Sequence, residues 1–340
     1  MKYIQTVTGK IPADEMGITT THEHLLIKQK NFNAEQHGED EEYLNQKVCL
    51  RNRGKILYNL HKYPDNVILD NPDLITSEVL EFKKAGGKTL IDCTCHGLDP
   101  NPEAVRRIAL NAGINIVMPT GVYTHPYHPL WVKDLSFQEL AELFEKEINH
   151  GIAGTSIKAG FIGEIGISCF NNEEKKVVKA AAIAQKNTGT AIVFHMNHQY
   201  TTEVIDVLEK NGADLSKAII GHCDHMFEKI DYFESLLKRK VNLAFDTFGM
   251  DITLSHELCY PNDYGRFSAI RILSNMGFIN QIVVGHDVCF KVQLKEFGGF
   301  GYSHLLENVV LVMKNNGFSE DEINTLLVKN PARIFGVEED

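Results

Sequence analysis

The sequence predicts a (β/α)8 barrel, an α/β fold, formed as a single domain over residues 1–340. Three observations carry that expectation. Short continuous apolar runs alternate with segments of helical spacing, eight such units can be counted, and no linker rich in Pro, Gly or Ser divides the 340 residues. Apolar strands set between helices indicate a parallel sheet buried on both faces, and eight strand–helix units close best as a barrel.

The elements follow in chain order. Residues 4–7 alternate weakly and predict a short hairpin strand against Lys10 and Ile11, and the first barrel strand is expected over 17–26. The long connection 28–71 holds the acidic run Glu39-Asp40-Glu41-Glu42 and a helix-like segment near 50–60. Connections this long are usually functional or disordered, so it reads either as a flap over the residues it follows or as a solvated insertion. Helical spacing over 74–84 (Leu74, Val79, Phe82) stops at Gly86-Gly87, a C-terminal glycine signal. Strands are then expected at 89–93, 114–118, 156–165, 191–194, 218–220, 241–245 and 281–284, with helices at 102–111, 137–149, 174–187, 202–210, 233–240, 266–276 and 305–314.

Composition narrows the function classes. A net charge of -11 argues against nucleic acid or an anionic membrane as the main partner. No apolar run approaches the roughly 20 residues of a membrane span, and the first residues show no signal-peptide core. Seven scattered cysteines without a CxxC read as free thiols in a reducing compartment, which places the protein in the cytoplasm. A small molecule is the expected partner, and assembly as a homodimer is left open.

In such a barrel the reactive groups sit at the carboxyl ends of the strands. His22 and His24, at i and i+2, share one face of the first strand and form a pincer for a metal ion. Glu164 ends the expected fourth strand, His195 follows the fifth, His222 the sixth, and Asp287 the eighth. Four imidazoles and two carboxylates exceed what one zinc takes, so two divalent ions, Zn2+ by preference, are expected with Glu164 between them. Asp287 is placed both as a ligand and as the catalytic proton shuttle. Lys158 is weighed against Glu164 as the bridge, His225 against His222, and His198 against His195; in each case the residue that closes the apolar run is preferred.

These residues, with the block Gly154-Thr155-Ser156-Ile157-Lys158-Ala159-Gly160-Phe161-Ile162-Gly163-Glu164-Ile165-Gly166 and with Gly285-His286-Asp287, resemble the phosphotriesterase family of the amidohydrolase superfamily. The resemblance covers nearly the whole chain, including Gly298-Gly299-Phe300-Gly301-Tyr302-Ser303-His304 and Asn330-Pro331-Ala332-Arg333. It is nearest to the phosphotriesterase-related branch, which implies hydrolysis of an amide or ester, including N-acetyltaurine. Organophosphate-degrading members bridge their metals with a carboxylated lysine; this sequence has Gly163 there, and the branch's bridging glutamate matches Glu164.

For the substrate, Arg266 and Arg271 after the seventh strand are expected to offer forked donors to an anionic group, and Tyr123 to wall the pocket. The leading expectation is a binuclear metal hydrolase acting on a carboxylic amide or ester of a small anionic compound. The alternatives are a lactonase with weak phosphotriesterase activity and a non-catalytic small-molecule-binding barrel. The resemblance also disfavours phosphorylated sugar lactones: family members that open them carry paired lysines in this loop, and no lysine lies between Lys240 and Lys291.

Overall fold

A computed structural model describes residues 2–29, 45–251 and 260–339. Eight strands line one barrel: Thr19–Glu23, Thr89–Asp92, Asn115–Val117 continued by Pro119–Thr120, Phe161–Ile167, Ala191–Met196, Ala218–Ile220, Asn242–Phe245 and Ile282–Val284. Each is paired in parallel with its sequence neighbour from first to eighth. The eighth meets the first at a seam: Thr21 Oγ1 donates to the Val284 carbonyl at 3.0 Å, and Asp287 N donates to the His22 carbonyl at 2.9 Å.

The helices start and stop where their capping residues dictate. Pro72–Lys84 is capped by Asn71 and Pro102–Ala112 by Asn101, each with proline in the first turn, where no amide is needed. Phe137–Asn149 opens on a Ser136–Glu139 capping box, and Asn172–Thr188 ends on Gly189 in the left-handed conformation. Thr201–Lys210, Ile230–Leu237, Asp263–Asn275 and a helix over 305–315 complete the outer layer. None of the helices among the described residues is long and apolar enough to cross a membrane.

Three strands differ from expectation. The first is shorter than 17–26 and runs only over Thr19–Glu23. The third breaks after Val117 because Pro119 has no amide to give to the ladder. The fourth begins at Phe161 rather than 156 and runs on to Ile167. Residues 156–160 instead turn back onto the preceding helix, with Ala159 N donating to the Glu147 carbonyl at 3.1 Å and Ile152 N to the Ile157 carbonyl at 2.8 Å.

One end of the barrel is sealed. The hairpin Lys2–Thr6/Gly9–Pro12 pairs with Val337–Glu338, and Ile4, Met16 and Phe335 pack beneath the inward-facing Ile91, Phe161, Val193 and Val283. The Phe161 and Phe335 rings lie 5.4 Å apart, edge to face. Chemistry is therefore confined to the other, carboxyl end. There, part of the expected flap is seen: Asp65 accepts from Lys47, Val48 N and Lys291, fastening residues 45–69 over the loop after the eighth strand. The acidic run 39–42 lies outside the described residues. The six described cysteines are free thiols; Cys259 lies outside.

The seam leaves no room at Gly285, where an added Cβ would sit 2.9 Å from His22 N and 3.0 Å from its carbonyl oxygen. Gly285→Ala is expected to destabilise the protein by about 2 kcal/mol, since the first strand must shift to admit it. Urea unfolding checks this, and a loss under about 0.5 kcal/mol would contradict so tight a closure.

Candidate metal centre

The strand ends bring the six expected residues to one place. Glu164 is buried at its centre, with Oε2 3.3 Å from His22 Nε2, 3.4 Å from His195 Nδ1 and 4.0 Å from His222 Nε2, and Oε1 3.3 Å from His24 Nε2. Asp287 Oδ1 lies 3.4 Å from His24 Nε2 and 3.7 Å from His22 Nε2. His222 Nε2 and His195 Nδ1 are 2.7 Å apart. Three donor groups result: His22–His24–Glu164 and Glu164–His195–His222, which share Glu164, and His22–His222–Asp246.

Two atoms at the centre are orphaned. His22 Nε2 and Glu164 Oε2 are buried and neither makes a hydrogen bond. A buried polar atom without a partner is costly, and the two face each other among other nitrogen and oxygen donors. Imidazole and carboxylate are the ligands that divalent ions of the zinc type take. The residues therefore fit the metal ions that the family resemblance implies.

Electrostatics reflects the crowding. Burial disfavours the His24 imidazolium, yet the hydrogen bonds to Asp287 and Glu164 outweigh it and lift the group to about 9. For His222, burial is outweighed by the charge of Asp246, again to about 9. Burial would raise Glu164, but the His22 charge and the close approach of the His195, His22 and His24 imidazoles hold it well below the usual carboxylate range. His195 is lowered by burial and by the neighbouring His222 charge. The shifts favour an ionised Glu164 with cationic His24 and His222 beside it and a neutral His195.

A second layer aims the imidazoles. His22 Nδ1 donates to Asp246 Oδ2 at 2.8 Å and His222 Nδ1 to Asp246 Oδ1 at 3.0 Å, so one carboxylate turns both Nε2 atoms inward. His24 Nδ1 donates to Thr94 Oγ1 at 2.9 Å. Asp246 directly follows the seventh strand, the position that supplies expected ligands at five other strands, and its omission from the expected site is a miss that the strand-end rule could have prevented.

The competing residues stand elsewhere. Lys158 is exposed ahead of the fourth strand. A Cβ on Gly163 would lie 2.5 Å from the Val193 carbonyl oxygen, so this part of the fourth strand offers the centre the Glu164 side chain and leaves no space for one at 163. His198 Nε2 donates to the His222 carbonyl, and His225 stacks on His222 with its ring edge-on to Tyr260.

A cavity of about 280 Å3 opens onto His24, Glu164, His195 and Asp287, walled by Tyr123, Tyr127, Tyr260, Phe290 and the flap residue His61. Tyr123 Oη lies 3.3 Å from His195 Nδ1, and burial, with the charges of Glu164 and Asp287, raises its pKa, so it remains a phenol O–H. The two arginines correct the sequence expectation. Arg266 is fully buried and consumed by Asp224, Thr247, Asp263 and the Met250 carbonyl, while Arg271 pairs with Glu322 and lies over the Phe318 ring. Neither lines the cavity. Both sit on the helix Asp263–Asn275, whose inward face buries one and whose outer end carries the other away.

A barrel with imidazoles and carboxylates gathered at its strand ends is the architecture of a metal-dependent hydrolase. The phosphotriesterase family model matches residues 2–335, and the chain belongs to the phosphotriesterase family, as a hydrolase of that family. It is 34% identical to the N-acetyltaurine hydrolase of Dictyostelium discoideum, with 98% of each chain covered, and 31% identical to the human N-acetyltaurine hydrolase, with 96% of each covered. Among solved structures, a resiniferatoxin-binding protein from Rhodobacter sphaeroides superposes with a TM-score of 0.94 at 31% identity, covering 98% of this chain and 94% of that one. The phosphotriesterase homology protein from Escherichia coli, complexed with phosphate in its active site, gives 0.80 at 29% identity, covering 95% and 99%.

Replacing Asp246 with Asn leaves one acceptor for two Nδ1–H donors. Metal affinity is expected to fall about 10- to 100-fold, read by calorimetric titration of the chelator-treated protein. Unchanged affinity would remove Asp246 from the role of aiming the imidazoles.

Proposed function

We propose that the protein is a binuclear metal hydrolase that cleaves a carboxylic amide or ester of a small anionic compound, with N-acetyltaurine-like N-acyl amines as the leading substrate class. The observation that carries this reading is the buried Glu164 carboxylate shared between two donor groups, with its own Oε2 and His22 Nε2 left without hydrogen bonds. His22, His24 and Asp287 would hold one ion, His195 and His222 the other, and Glu164 both. Bound there, divalent ions supply Lewis-acid polarisation of the scissile carbonyl and a water acidic enough to lose a proton near neutral pH; zinc suits the donor set best.

The residues of the chain do the rest. Asp287 Oδ1, beside His24, accepts the proton of the attacking water as its oxygen bonds to the acyl carbon. The same carboxyl then delivers that proton to the departing nitrogen or oxygen as the acyl bond breaks. The Tyr123 hydroxyl donates toward the carbonyl oxygen and orients it. The aromatic wall excludes bulk water, which strengthens each of these contacts. For the anionic end of the substrate, the side chains with N–H or O–H groups along the cavity include Gln29, His61, Thr124 and Tyr260, in place of the two arginines. The relatives named for N-acetyltaurine hydrolysis support this substrate class, and the donor set, with every position filled, favours turnover over binding alone.

Elemental analysis of protein purified without chelator, paired with a hydrolysis screen of N-acetylated amino-sulfonates, N-acyl amino acids and lactones, tests the reading. Two metals per chain with turnover of an acyl amide are expected. Absence of both after zinc or manganese is added back would leave a binding protein, and lactone turnover alone would shift the substrate class. Asp287→Asn is expected to abolish hydrolysis with the circular dichroism spectrum unchanged; full activity would exclude the proton-transfer role. Tyr123→Phe is expected to lower kcat/KM about 10-fold, and no change would leave Tyr123 as wall only.

A further inference from the structure

Glu23 stands between the two histidines of the opening motif, so strand alternation turns it away from the cavity. It is completely buried. Its carboxylate is spent on the turn after the eighth strand: Oε1 accepts from His286 N at 3.1 Å and from His286 Nδ1 at 2.6 Å, and Oε2 accepts from Val288 N at 3.3 Å. The amide between them, Asp287 N, donates to the His22 carbonyl at 2.9 Å. Three consecutive N–H groups are therefore held by two consecutive residues of the first strand.

That arrangement has a consequence for Asp287, whose φ of +50° lies in the left-handed region that a residue with a Cβ seldom adopts. Amide bonds on both sides hold it there, and the Asp287 carbonyl is fixed in turn by Gln293 Nε2 at 3.0 Å. His286 is anchored as well: its Nε2 accepts from Leu305 N at 3.0 Å, which leaves the ring proton on Nδ1 to be donated to Glu23. All three groups facing Glu23 are donors. A carboxylate, which only accepts, matches them, whereas a carboxamide would set its NH2 against one of the N–H groups.

We infer that Glu23 is the positioning residue for Asp287: by accepting from the amides on either side, it fixes the turn that aims the Asp287 carboxylate at His22 and His24. The inference rests on the reading of Asp287 as ligand and proton acceptor, and deepens it.

The test compares crystal structures of the metal-free parent and of Glu23→Gln, with kcat and KM measured after metal is restored. In the variant, the turn is expected to relax and Asp287 Oδ1 to withdraw by about 1 Å or more from His24 Nε2, a displacement large enough to matter for catalysis. The accompanying loss is expected in kcat, about 10- to 100-fold, with KM within about twofold. Should Glu23→Gln fail to fold, Glu23→Asp keeps the charge but is one methylene too short to reach both amides, and the same displacement is expected. Asp287 remaining within about 0.5 Å of its parent position, or an unchanged kcat, overturns the inference. Because the crystallographic comparison needs neither metal nor turnover, a parent that hydrolyses nothing would count against the hydrolase reading while the position of Asp287 still decided the role of Glu23.

Discussion

The structure depends on one buried carboxylate, Glu164, ringed by imidazoles from three other strands. An uncompensated buried charge costs on the order of several kcal/mol, so Glu164 can remain ionised only while His22, His24, His195 and His222 are held around it. None of these side chains is local to another except the first pair. The barrel must therefore be closed, and in register, before the charge is compensated. Closure is what the tight seam at Gly285 and the sealed floor under Phe161 and Phe335 secure.

The same constraint propagates outward. Asp246 is also a buried carboxylate, satisfied by donors from His22 and His222, and its backbone amide donates to Asp224 Oδ2 at 2.9 Å. Asp224 in turn accepts from Arg266 Nε at 3.0 Å. A continuous series of hydrogen bonds thus runs from the imidazoles of the centre through Asp246 and Asp224 to Arg266 on the helix behind the seventh strand. Arg266 belongs to this series, and its burial serves the orientation of the centre rather than contact with substrate. Glu23 does on the eighth-strand side what Asp246 does on the sixth- and seventh-strand side.

Much of this was legible in the sequence because barrel geometry converts position along the chain into position in space. Eight apolar runs gave the strands, and the residues ending them gave His22, His24, His195, His222 and Asp287 without any long-range information. Glu164 was found although its strand runs on to Ile167. What was not legible depends on partners far away in sequence. Arg266 looked free because Asp224 and Thr247, from the loops after the sixth and seventh strands, reach it only in the closed barrel, where Asp263 of its own helix joins them. The departure of 156–160 from the fourth strand depends on Glu147, which belongs to the preceding helix. His61 enters the cavity from a connection whose own pattern carries no signal for where it folds.

Anomalous diffraction from crystals grown with zinc, with data collected on both sides of the zinc absorption edge, tests the central claim most directly. The account requires two peaks flanking the Glu164 carboxylate, one beside His22, His24 and Asp287 and the other beside His195 and His222. A single peak, or peaks away from Glu164, would contradict a binuclear centre built on this residue.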